Sequence, residues 1–308
     1  MFADAIEQNR QFTRSIHFIS RMFGSTEVIP GTATLFFVND EGVAITCKHV
    51  AEDLAKRRQI NDLYQKYITE VRAIPCDENR EKQIELVTQK YGYTPKITAQ
   101  LKTLFCDCVD TTGANINYST INHSEFDLSI IKINGAISNL YKGHAIFAKD
   151  SSKLRQGTFL CRIGYPFPEF TNFDYDLAAD DIKWTQTGRK GTPLFPIEGM
   201  FTREVAKGGN TFAYELSTPG LRGQSGGPLF DRNGIIYGMQ SVTTLLHLGF
   251  DQYNAKVRID GEIKEVENHP FLHVGRCISV DVIKKFLDDN GIKYFVDDGN
   301  GGEEVVNG

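Results

Sequence analysis

From Gly31 the chain runs GTATLFFVNDEGVAITCKHV, two apolar, β-branched segments broken by Asn39, Asp40, Glu41 and Gly42. Apolar runs of strand length on either side of a cluster of turn formers predict a β-hairpin, and its second strand ends at His49. Directly afterwards AEDLAKRRQINDLYQKYITEVRAI changes to helix formers with charges on most turns. Two more charged stretches, 78–90 and 94–105, keep this character, so about 51–105 is predicted to be a helical insertion. Strand character returns in HSEFDLSIIKI, with Asp127 at the entrance of an apolar run. Further strands are predicted at Thr158–Ile163, Met200–Ala206, Thr211–Leu216 and Gly234–Val242. In KVRIDGEIKEV, Asp260 and Gly261 stand between alternating segments, the two-residue turn of a hairpin. SVDVIKKFLDDNG predicts a helix with Ser279 as N-cap and Gly291 as its stop. The Gly-rich, acidic GNGGEEVVNG predicts a flexible end. Outside the insertion, short strands dominate, which makes the chain mainly β.

Composition narrows the class. At 308 residues, with 41% hydrophobic and 24% charged residues, the chain is long enough for one extended domain or two small β-domains. The formal net charge of -5 opposes binding to phosphate backbones, so peptides or proteins are the expected partners and nucleic acid is not. No stretch reads as a secretory signal or has the length of a membrane-spanning helix, and a cytoplasmic location is expected. Six scattered cysteines fit free thiols in a reducing compartment; only Cys106 and Cys108 look paired, and C-x-C alone is weak as a metal site.

The sharpest chemistry lies in LRGQSGGPLF, Leu221–Phe230. Glycines around Ser225 permit a turn that exposes the hydroxyl while aiming backbone amides into the same space. The amides of Gly223 and Ser225 would form an oxyanion hole. A serine hydroxyl is a poor nucleophile unless a neighbouring base takes its proton, commonly an imidazole held in one tautomer by a carboxylate. His49 and Asp127 offer these groups; Asp110 and Asp107 are the alternative acids.

GQSGGPLF, TCKHV and FDLSIIKI, in the order His, Asp, Ser, resemble the three signatures of the trypsin-like peptidase superfamily, especially its bacterial Deg-type branch. LCRIGYPF and GRCISVDVIKKFL resemble that family's strand between Asp and Ser and its closing strand and helix. The resemblance covers roughly 31–50 and 123–289. It implies two six-stranded antiparallel β-barrels with the site between them: residues 1–145 with the insertion, 146–292 with the C-terminal helix, and a flexible 293–308. It also implies a serine endopeptidase working through an acyl-enzyme, with no cofactor or metal. Three features depart from the pattern: the long separation of His49 from Asp127, Gln224 where secreted members carry an aspartate that pairs with a new N-terminus, and no PDZ module expected after the helix.

By the same resemblance the substrate pocket comprises Pro219, Gly220, Ser241, Val242 and Thr243, which favours a small or medium apolar residue before the scissile bond. Asp251 could still reach it. The insertion is expected either to be a solvated face or to gate the cleft and dock a regulatory protein. Two rival functions remain open: a catalytically inactive binding module of protease fold, and an α/β-hydrolase esterase, since GQSGG also fits a nucleophile elbow. The elbow needs a helix after the serine, where Pro228 and DRNG stand instead.

Overall fold

Helix α1 (Ala3–Arg10) leads into strand β1 (Thr13–Met22), which the hydrophobic pattern does not announce. Its inward positions include Thr13, Ser15, His17 and Arg21, each 2% exposed or less, so the buried face is largely polar. The computed structural model describes residues 1–105, 117–134 and 140–308. Cys106, Cys108, Asp107 and Asp110 lie outside these residues.

β2 (Ile29–Phe37) and β3 (Val43–Thr46) form the expected hairpin, and Asn39 Oδ1 accepts the amides of Glu41 at 3.0 Å and Val43 at 3.4 Å. Then come α2 (Lys48–Ala73), α3 (Arg80–Tyr91), β4 (Thr98–Phe105), β5 (Asn117–Asn122) and β6 (Ser129–Asn134). The six strands form one curled antiparallel sheet in the order β4-β1-β2-β3-β6-β5.

The helical insertion is therefore shorter than 51–105. Its last part, Thr98–Phe105, is an edge strand paired with β1, because a sheet edge offers unpaired backbone groups that outweigh a weak local preference. α2 lies across β4, and Tyr64, Tyr67, Tyr93 and Ala99 form a small core beneath the insertion. At its start, α2 takes in Lys48 and His49, so His49 opens a helix instead of closing a strand.

The second half contains β7 (Ile146–Phe147), β8 (Phe159–Gly164), the hairpin β9 (Phe173–Asp176) and β10 (Asp181–Trp184), β11 (Phe195–Lys207), β12 (Asn210–Leu216), β13 (Pro228–Phe230) and β14 (Ile236–His247). β15 (Gln252–Ile259), β16 (Glu262–Asn268), β17 (Phe271–Ser279), helix α4 (Val280–Asp288), β18 (Tyr294–Asp297) and β19 (Glu303–Val306) follow. Six strands close into a ring, β13-β8-β11-β12-β17-β14, because β13 pairs with both β8 and β14. The fold is thus mainly β, of the trypsin-like double-barrel kind, with one apolar core running from Phe36, Ile45 and Ile130 through Phe147 to Ile163 and Met239.

Asp260 and Gly261 turn the β15–β16 hairpin with φ of 52° and 87°, and Ser279 caps α4 by accepting the Val282 amide. Residues 293–308 depart from the expected flexible tail. Tyr294, Phe295 and Val296 are buried, β18 runs parallel to β7, and β19 pairs with β18. The acidic segment DYDLAADD, which spans the β9–β10 turn, packs against the first sheet and α2. Asp180 accepts from Arg21 at 2.9 Å, Tyr64 at 2.5 Å and Tyr175 at 2.5 Å, tying this hairpin to β1 and α2.

Candidate active site

The first four amides of a helix have no partner within it, so α2 presents unpaired donors where it begins. Cys47, its N-cap, gives no capping bond from its side chain. Asp127, just ahead of β6, takes that place from a distant segment: its Oδ1 accepts the His49 amide at 3.0 Å. The helix terminus favours the carboxylate, and the carboxylate fixes the helix. The same group lies 3.0 Å from His49 Nδ1 through each oxygen, and Ser241 Oγ donates to its Oδ2 at 2.6 Å. Burial alone would raise the Asp127 pKa, but bonds from the His49 ring, Ser241 and the His49 amide hold it at about 2. An ionised carboxylate only accepts, so Nδ1 carries the proton and Nε2 keeps a lone pair. The bond to Asp127 raises the His49 pKa; burial works against this, and the charges of Asp127, Asp53 and Glu52 add to it.

The serine turn is held by the first sheet. Thr34 N donates to Ser225 O at 3.0 Å, Thr34 Oγ1 to Gly223 O at 2.8 Å, and Thr46 Oγ1 to Thr34 O at 2.7 Å. Gly223 and Gly226 have φ of 98° and 89°, which side chains rarely adopt. A Cβ on Gly226 would stand 2.0 Å from Thr34 O and 2.4 Å from Thr46 Oγ1. Gly226→Ala is therefore expected to destabilise the chain by roughly 3 kcal/mol or more through combined strain and overpacking. Chemical denaturation of the variant beside the parent checks this.

Gln224 is fully buried and neutral; it accepts from Leu221 N at 3.0 Å and donates to Phe195 O at 3.1 Å. The amides of Gln224, Gly226 and Gly227 are bonded to Leu221 O, Gln240 O and Gln224 O. Those of Gly223 and Ser225 find no acceptor among the described residues. The Ser225 hydroxyl donates to Ser241 O at 3.4 Å. Ser241 thus touches Asp127 with its side chain and Ser225 with its backbone, and it links the three segments that carry His49, Asp127 and Ser225.

A model of the trypsin-like peptidase domain matches residues 31–239, about two-thirds of the chain. The chain belongs to that family. No curated protein matches the chain.

Within this trypsin-like frame, the sequence-predicted pocket residues come together. Thr243 Oγ1 donates to Gly220 O at 2.7 Å, joining the 219–220 segment to the strand that carries Ser241, Val242 and Thr243. Val242 is exposed at the rim. Asp251 is engaged elsewhere, accepting from His247 and His269 at 2.8 Å each. Pro228–Phe230 after the Ser225 turn is a strand, which removes the elbow helix that an α/β-hydrolase requires.

Sequence reading placed Ser241 only in the pocket wall and missed its bond to Asp127, together with the clamp from Thr34 and Thr46. GTATLFF signals a strand; nothing in it signals that Thr34 reaches across to a turn almost two hundred residues later. Cys47 also lies beside the pair, and its sulfur, with His49 and Asp127, forms the kind of cluster that can hold a metal. The donor set does not fit one. Burial, and then the Asp127 charge, pushes the thiol pKa well up, and Sγ–H donates to Gln240 O at 3.3 Å, whereas a metal needs the thiolate.

Proposed function

We propose that the protein is a serine endopeptidase that cuts protein substrates through an acyl-enzyme, with Ser225 as nucleophile, His49 as general base and Asp127 as the group that orients the base. The observation that carries this reading is the placement of Asp127. It holds Nδ1 of His49, so the basic Nε2 is left free, while Ser241 joins that carboxylate to the Ser225 turn. A rotation of the Ser225 side chain away from Ser241 O delivers its proton to Nε2 as Oγ attacks the peptide carbonyl. The carbonyl oxygen, now negative, takes the amides of Gly223 and Ser225. His49 then returns the proton to the leaving amine, and water resolves the acyl-enzyme by the same steps in reverse order.

Gln224 supports a site that needs no newly cut N-terminus, since its amide already bonds Leu221 and Phe195. Control would then fall to a partner protein, for which the surface of α3, with no buried residue, is the available part of the insertion. The inactive-module reading is separated from catalysis by digestion of a peptide library with the chain and with Ser225→Ala. New termini from the first and none from the second are expected, and equal patterns would remove the peptidase reading.

The pH dependence has a definite sign. A general base works unprotonated, so kcat/KM rises with pH through the His49 pKa. Because that pKa is raised, the midpoint of the rise is expected above the ordinary histidine value of 6.5. A pH profile of a peptide substrate at concentrations well below KM checks it, and a midpoint below 6.5 would contradict the pairing with Asp127.

A further inference from the structure

Arg162 on β8 has no exposed surface. Removing a guanidinium from water costs several kcal/mol, and buried charges are ordinarily matched to an opposite one. Among the described residues, Arg162 donates to neutral acceptors: Thr218 O at 3.0 Å, Thr218 Oγ1 at 2.7 Å, Pro219 O at 3.2 Å and Gln240 Oε1 at 2.5 Å. Its Nε–H has no partner there. The neighbouring Cys161 and Cys277 thiols have pKa values pushed up by burial to about 12 and about 11, so neither supplies a negative charge near neutrality. Burial lowers the Arg162 pKa, but a guanidinium begins so high that it stays charged.

The groups that hold this cation border the pocket residues expected from sequence. Thr218 leads into the 219–220 wall, to which Pro219 belongs, and Gln240 immediately precedes Ser241 in the opposite wall. Gly275 faces Thr243 across the β14–β17 ladder, and a Cβ there would stand 2.1 Å from Arg162 Nη1. A Cβ on Gly220 would stand 2.3 Å from Gln240 Nε2. Gly275 and Gly220 are thus pressed against a guanidinium and an amide. Because Arg162 takes Oε1 of Gln240, the amide nitrogen points the other way, giving one hydrogen to Val242 O at 3.1 Å and keeping a second.

Building on the peptidase reading, we propose that this pocket accepts an acidic residue, aspartate or glutamate, immediately before the scissile bond, with Arg162 as its counter-charge and Gln240 Nε2 as a direct donor. A carboxylate there supplies the negative charge that the fold withholds from Arg162, whereas a lysine or arginine would meet repulsion. The apolar preference expected from sequence arises because Arg162 lies in a strand far upstream of the nucleophile. Closure of the barrel, which sets Arg162 against Leu229, is what brings it beside Thr218, Pro219 and Gln240.

The test uses a series of peptides that differ only in the residue before the scissile bond: Glu, Asp, Gln, Leu or Lys. At least tenfold higher kcat/KM for Glu or Asp than for Gln or Leu is expected, with Lys slowest. Gln240→Glu is isosteric and hands Arg162 a carboxylate; it should cut that preference at least tenfold, with the melting temperature reporting that the variant folds. Preference for Leu or Lys, equal cleavage after Glu and Gln, or an unchanged ratio in Gln240→Glu overturns the inference. If no peptide is cut, the peptidase reading fails by itself, and the pocket is then read by calorimetry on Ser225→Ala with peptides ending in Glu, Leu or Lys. Tighter binding of the Glu peptide sustains the pocket, and equal binding overturns it.

Discussion

His49→Ala is expected to lower kcat for peptide cleavage by about 10⁶-fold, the loss found when the base of a serine triad is removed and only binding and oxyanion contacts remain. That corresponds to about 8 kcal/mol of transition-state stabilisation at about 1.4 kcal/mol per decade. The fold should hardly register the change. Half of the His49 side chain is exposed (51%), and Asp127 keeps the residue 49 amide and Ser241 as partners. Steady-state kinetics beside a thermal melt separate the two effects, with the melting temperature expected to move by less than the equivalent of about 1 kcal/mol.

Asp127→Asn is the second large effect. The amide is nearly isosteric and can still accept one hydrogen bond, so the start of α2 should survive. A neutral group no longer dictates that Nδ1 carries the proton, and a drop of about 10⁴-fold in kcat is expected from loss of the productive tautomer. The same change removes the first cause of the raised His49 pKa. The acidic limb of the pH profile should accordingly move to lower pH in this variant while kcat falls. A large loss of activity with an unmoved limb would assign Asp127 a structural role only.

Much of this site was legible because its residues sit in short motifs whose chemistry is local. GQSGGPLF needs its glycines for backbone reasons visible in the turn itself, and FDLSIIKI sets a carboxylate against an apolar strand. Turn chemistry was equally readable at Asp260–Gly261, and capping at Ser279. What was hidden depends on partners distant in the chain. β1 buries Thr13, Ser15, His17 and Arg21, so no hydrophobic alternation marks it as a strand. β4 follows a charged helical stretch and looks like its continuation, yet its one charge, Lys102, pairs with Asp181 at 2.6 Å and the strand completes the edge left by β1. In DYDLAADD no local signal shows that Arg21 and Tyr64 hold Asp180. Arg162 is the extreme case: a cation in an apolar strand context, whose surroundings exist only once β8 meets β13.

The most direct measurement is treatment of the folded chain with a fluorophosphonate, followed by peptide mapping of the labelled residue. Covalent modification of Ser225 in the parent chain, lost in His49→Ala, is the predicted result. An unmodified Ser225 in correctly folded parent protein, or labelling of Ser225 that is indifferent to the loss of His49, would contradict a nucleophile activated by that imidazole.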